Sequence, residues 1–371
     1  MDEERVGDVA AGYFAQLRER FERAASAADG VAEDEIEIGG LRLRLRWAGE
    51  AMRRVLLLPF EHLARPPAPD PDLEIALFDT ASTGVEAPPP VWPPAPAAPG
   101  TNPVVRLQTD RIGILAAAGS RALTVVEPGA GRAVFHLPDA AAIPASERAA
   151  PMREALQLLM APRGRVMTHA GAVGRGGRGV LLVGRGGSGK STLALGCAMA
   201  GLEIVADDYV LLEPESLFAH AMQSTAKLTE DGVERLGVPP AAIDPVGFEP
   251  TLEGPAKALT DVRVLSPGAL RPRLRIAALV APHIPVTSPF VPLSGTKGEV
   301  SRGEPVPRRV SGAEGLRAVA PSTIAQSGFS GGQALAALAG VVRRVPSYAL
   351  ELSSDPAANA HAVDRLVAEL G

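Results

Sequence analysis

Residues 180–199 read Val-Leu-Leu-Val, then Gly184-Arg-Gly186-Gly187-Ser188-Gly189-Lys190-Ser191-Thr192, then Leu-Ala-Leu-Gly-Cys-Ala-Met. A short apolar run, a glycine cluster and a longer apolar run in that order predict a buried strand, a tight loop and a helix. The spacing Gly-x-x-x-x-Gly-Lys-Ser is that of a phosphate-cradling loop. Glycines let backbone N–H groups turn toward phosphate oxygens, and the helix beginning at Lys190 adds its positive end. Lys190 reaches the β- and γ-phosphates, and the Ser191 hydroxyl ligates magnesium. The expected nucleotide-binding set is therefore Gly184, Gly186, Gly187, Ser188, Gly189, Lys190, Ser191 and Thr192, with ATP and Mg2+ as cofactors.

Past the helix, Leu-Glu-Ile-Val-Ala leads into Asp207-Asp208-Tyr209. Adjacent residues of a strand point to opposite sides, so one carboxylate can face a metal while the other faces an incoming hydroxyl. Two neighbouring carboxylates also repel, which raises one pKa toward neutrality. His169, within the strand pattern 166–173, is a candidate proton carrier whose strand can run beside that of the loop. The chain has only four lysines (Lys190, Lys227, Lys257, Lys297) against 33 arginines. A composition this poor in lysine has kept one where the loop needs a compact ammonium, which makes Lys227 and Lys257 candidates for the same site.

The chain has 371 residues, enough for two domains. Residues 1–150 form one region: a helical pattern over 9–27, an alternating strand or hairpin over 36–47, and short strands at 104–107, 112–117, 123–126 and 133–137. The segment 86–100 (EAPPPVWPPAPAAPG) is a Pro-rich linker or loop. From residue 151 to 371 the text changes to helix (152–160), strand, loop, helix, strand, the alternation of an α/β core. The net charge of −5 argues against nucleic acid as a partner. A single cysteine, Cys197, excludes internal disulfides and fits a cytoplasmic protein. No apolar run approaches the roughly 18 residues of a membrane span, so no membrane association is expected. Residues 263–309 hold seven arginines and Lys297 against Glu299 and Glu304; such a basic stretch complements phosphates or an acidic substrate segment, or forms a solvated face.

In order and spacing, the His169 strand, the loop 184–191 and Asp207-Asp208 resemble the core of HPr kinase/phosphorylase and its related serine kinases. Ser224-Thr-Ala-Lys-Leu, Ala320-Pro-Ser-Thr and Val345-Pro-Ser-Tyr-Ala-Leu-Glu-Leu are similar to further motifs of those kinases. The resemblance implies that Lys190 and Ser191 hold the triphosphate and magnesium. It also implies that Asp207 and Asp208 supply the base and a metal ligand, with His169 close by. The catalytic set is then Asp207, Asp208, His169 and Lys190, with Ser191 and Asp208 as the metal ligands and the division between the two carboxylates open. Neither a Leu-Glu-Ile-Arg-Gly-like segment after the acidic pair nor the usual N-terminal domain is found, so the resemblance leaves the phosphorylase activity and HPr as the substrate open.

The fold expected is α/β, a P-loop nucleotide-binding core of the HPr-kinase C-terminal type with a β-rich N-terminal accessory domain. The expected activity is Mg-dependent transfer of the γ-phosphoryl group of ATP to a Ser/Thr hydroxyl of a protein or peptide. A small-molecule kinase and a nucleotide-dependent switch are the alternatives. A homo-oligomer is possible by the same resemblance.

Overall fold

The computed structural model describes residues 3–92, 104–117, 120–250, 255–285, 304–326 and 331–371. Chain contacts divide it into two units, one of residues 1–165 with 249–255, the other of 166–248 with 256–371. The sequence reading put that division at 150/151. It falls later because the helix Arg153–Met160 packs on strands of the first unit. The second half of the Pro-rich segment, 93–100, lies outside the described residues.

The first unit carries an eight-stranded sheet among the described residues, built from β1 (Val31–Ile38), β2 (Leu41–Ala48), β3 (Ala64–Arg65), β4 (Leu73–Asp79), β5 (Val104–Gln108), β6 (Gly113–Ala117), β7 (Leu123–Glu127) and β8 (Arg132–Leu137). Their order is β3-β1-β2-β4-β8-β7-β6-β5. Gly39 and Gly40, both at positive φ, turn β1 into β2. The alternating text of that hairpin then sets Glu33 opposite Arg46, Glu35 opposite Arg44 and Glu37 opposite Arg42. Such cross-strand charge pairs fix register. Burial would push the nearly enclosed Glu35 carboxyl up, but an N–H from Ala68 and the guanidiniums of Arg44 and Arg42 hold it below the usual range. The helix Glu3–Ala27 covers one sheet face, burying Tyr13, Phe14, Leu17 and Phe21 against Phe78, Ile114 and Val125. The first part of the Pro-rich segment docks on this helix: the Tyr13 hydroxyl donates to the Pro88 carbonyl at 2.9 Å, and Trp92 meets the Tyr13 ring edge-on at 5.0 Å.

The second unit holds β9 (Val166–Thr168), β10 (Gly171–Arg175), β11 (Arg178–Leu182), β12 (Glu203–Ala206), β13 (Val210–Glu213), β14 (Phe218–His220), β17 (Arg273–His283), β18 (Arg308–Val310) and β19 (Ser347–Glu351) in one mixed sheet. The separate pair β15 (Thr225–Thr229) and β16 (Lys257–Asp261) lies outside it. Central β11 runs antiparallel to β10 and parallel to β17, and β17 runs parallel to β19. The helices Lys190–Met199 and Pro356–Glu369 pack on each other, their apolar faces joining Val180, Leu182, Val280 and Leu350 in a common core. Cys197 sits in that core with no exposed surface, and burial pushes its thiol far above the ordinary range. Among the described residues, no helix is long and apolar enough to cross a membrane.

Candidate active site

β11 delivers the chain into the glycine loop, and the helix Lys190–Met199 carries it away, as the apolar–glycine–apolar text requires. Gly184, Gly187 and Gly189 all stand at positive φ (150°, 77° and 93°), where a side chain is strained. A Cβ on Gly184 would also lie 2.8 Å from the Ser188 hydroxyl, and one on Gly189 would collide with the Leu352 methyl. Around Gly186 the space is open. Lys190, 6% exposed, folds back over the loop, its Nζ donating to the carbonyls of Gly184 at 2.7 Å and Arg185 at 3.2 Å. Burial pulls its pKa below the ordinary lysine range, against the opposing pull of Asp208 and Asp207. Thr192 lines a hollow of about 80 Å³ shared with Asp231, Arg235, Leu352 and Asn359.

At the end of β12 the two aspartates meet unlike surroundings. Asp207 is 2% exposed and accepts a hydrogen bond from Ser191, while its Oδ2 is buried with no partner among the described residues. Burial first, then the charge of Asp208, pushes its pKa up to about 7, and the Ser191 bond only partly opposes this. Asp208 has both oxygens engaged, one 2.7 Å from His169 Nε2 and the other 3.4 Å from Lys227 Nζ. Burial pushes this carboxyl up as well. The His169 bond and the nearby charges of Lys227, His169 and Lys190 outweigh it and hold Asp208 well below the usual carboxylate range. The two adjacent carboxyls are thus driven apart, one raised by burial and its neighbour's charge, the other lowered by hydrogen bonding and nearby cations.

The expected strand 166–173 is broken in two. β9 pairs with β13, β10 pairs with β11 beside the glycine loop, and His169 and Ala170 lie at the break. Gly171 permits this, since a Cβ there would lie 3.0 Å from the Asp207 carbonyl oxygen. His169 is fixed from three sides: Nε2 on Asp208, its backbone N–H donating to Thr323 Oγ1 at 3.2 Å, and its ring 5.4 Å from that of Tyr209. Its Nδ1 is buried without a partner among the described residues.

Of the expected metal ligands, Ser191 donates its hydroxyl to Asp207, and Asp208 is engaged by His169 and Lys227. Lys227 arrives from β15, within the Ser-Thr-Ala-Lys motif. Lys257, from β16, acts electrostatically on Asp207 and Lys190. Three of the four lysines therefore meet here, and the fourth, Lys297, lies outside the described residues. Thr323 was not singled out by residue; only the Ala-Pro-Ser-Thr text marked its neighbourhood. Three arginines of the arginine-rich stretch are engaged structurally: Arg263 pairs with Asp261 at 2.6 Å, Arg271 with Glu203 at 2.9 Å, and Arg273 stacks on Phe218.

No protein-family model matches the chain. No curated protein matches it either. Among solved structures, the HPr(Ser) kinase/phosphatase from Coxiella burnetii aligns with 55% of this chain and 97% of its own, at 17% identity and a TM-score of 0.28. A likeness that weak carries no argument; the α/β architecture and the clustered site stand on the geometry described above.

Proposed function

We propose that the second unit is a Mg-dependent kinase that transfers the γ-phosphoryl group of ATP to the hydroxyl of a serine or threonine in a protein or peptide. The observation that carries this reading is the buried Asp207 carboxylate, bonded to Ser191 at the end of the glycine loop with its second oxygen left unpartnered. An enclosed carboxylate oxygen without a partner costs free energy unless something binds it. A small oxygen-seeking cation fits: magnesium is typically held by one or two protein oxygens together with phosphates and water.

In this reading Asp207 and Ser191 hold magnesium, which would neutralise charge on the β- and γ-phosphates. The backbone N–H groups of the glycine loop orient the phosphates. Lys190 exchanges its carbonyl partners for phosphate oxygens. Asp208 takes the proton of the acceptor hydroxyl, and His169, hydrogen-bonded to it, shares that proton. Lys227 keeps Asp208 ionised until the hydroxyl arrives. The Ser/Thr acceptor rests on the sequence resemblance and is open to direct test.

Purified protein is incubated with Mg2+ and γ-labelled ATP together with a host lysate separated into macromolecular and small-molecule fractions. Label entering a protein or peptide with the wild type, and absent with Lys190→Ala and Asp208→Asn, is the expected result. Label in the small-molecule fraction would replace the acceptor assignment, and nucleotide binding without transfer to any fraction would overturn the kinase reading.

A further inference from the structure

The first unit contains a cavity of about 640 Å³, within the roughly 300–1,000 Å³ range of small-molecule sites. Its walls come from three places: the helix Glu3–Ala27, the sheet around β6–β8, and the Pro-rich segment 86–92. The apolar share is supplied by the Tyr13 and Trp92 rings, by the prolines beside them, and by Ala116 and Leu123. Tyr13 and Trp92 brace each other edge-on, and the Tyr13 hydroxyl is tied to the Pro88 carbonyl, so the aromatic wall is fixed in place.

The polar share is unequal in charge. Arg20 and Arg121 line the cavity, and among the described residues neither forms an ion pair; Glu86 is the one carboxylate on the lining. His136, 6% exposed, adds no charge at neutral pH. Burial first, and Arg121 second, push its pKa down to about 4. Its Nε2 lies 2.9 Å from the Thr80 hydroxyl, which donates to the Val85 carbonyl at 3.1 Å. With that hydroxyl proton committed, Nε2–H is the donor of the His136 pair. The cavity therefore offers aromatic and aliphatic walls, two guanidiniums and one carboxylate. Guanidinium groups recognise carboxylates through paired, charge-assisted hydrogen bonds.

We infer that this cavity is a binding site for an organic carboxylate with an aromatic or branched aliphatic body, held by Arg20 and Arg121 at its charged end and by Tyr13 and Trp92 along its body. The same chemistry is presented by a free small acid and by the C-terminal residue of a peptide. The site is separate from the proposed phosphoryl-transfer chemistry, and either reading can fail without the other.

The test uses the full-length protein and its tryptophan fluorescence, in which Trp92 is the responsive residue because Trp47 is fully buried within the first unit. Four probes are titrated: 3-phenylpropanoate, its neutral amide, and N-acetyl-Ala-Phe as the free acid and as the C-terminal amide. A saturable change is expected with one or both acids, and roughly tenfold or weaker binding with the matching amide. Binding of the small acid alone assigns a metabolite; binding of the peptide acid alone assigns a peptide C-terminus. Arg121 is exposed, so Arg121→Ala should leave the circular dichroism spectrum unchanged and weaken the acids roughly tenfold, with Arg20→Ala as an independent second variant. Ala116→Leu, which fills the cavity, should weaken acids and amides alike. The inference is overturned by the absence of a saturable change with every probe, by equal affinity for acid and amide, or by acid binding that neither arginine substitution alters.

Discussion

Asp207 is a carboxyl that ordinarily ionises near pH 3.8 and that the folded chain holds protonated until about 7. Between those values the folded state keeps a proton that the unfolded state has released, so this residue makes metal-free stability fall as pH rises through the window. Asp208 acts in the opposite sense. Its folded pKa lies below 3.8, so its contribution is complete above that value and is lost as pH falls through the lowered folded pKa. Asp207→Asn removes the first penalty while deleting a proposed metal ligand. Melting of the metal-free variant at pH 8 should therefore occur above that of wild type, with the gap closing toward pH 4, while phosphoryl transfer falls by roughly 10²-fold or more. A lower melting point at pH 8 would show that Asp207 is not held back by its surroundings. His169→Gln tests the proton path. Transfer should drop by about 10²–10⁴-fold with nucleotide affinity unchanged in equilibrium titration, and a loss of affinity instead would reassign His169 to binding.

At the scale of elements, the glycine loop separates conformational need from open space. Gly189→Ala meets both a positive φ and the Leu352 side chain, so a loss of about 1–3 kcal/mol in stability is expected together with loss of nucleotide binding. Gly186→Ala meets nothing, so its melting temperature should stay at the wild-type value. MgATP affinity should still fall if phosphates approach the backbone there, and unchanged affinity would remove Gly186 from the binding set.

This loop was legible because strand, glycines and helix each leave a local signature. So was the β1–β2 hairpin, whose alternation mirrors one facing row of Glu and Arg. β4 escaped for a physical reason: it lies between parallel neighbours and is buried at nearly every position, so Leu73–Asp79 shows no period of two. The break at His169 was equally hidden, since it depends on Gly171 passing close to the Asp207 carbonyl, a contact between segments more than thirty residues apart. The lysine scarcity did point to Lys227 and Lys257, because composition can single out residues whose partners lie far along the chain.

For the molecule as a whole, each unit buries its own apolar cluster, one around Phe78 and the other around Val180 and Leu350. A ligand that binds only the native second unit should stabilise that unit by mass action and leave the first unaffected. Hydrogen exchange with and without MgATP should show added protection over residues 183–193 and at the end of β12, with no change across β1–β8; protection of the first unit's sheet would place the nucleotide elsewhere. The lone cysteine offers a further use of the same architecture. With Cys197 sealed in the second core and its thiolate disfavoured, a thiol reagent has no native target until that core opens. The rate of its modification is thus a built-in clock for opening of the nucleotide-proposed unit, and one cysteine placed on the surface can carry a dye without competition from the chain's own sulfur.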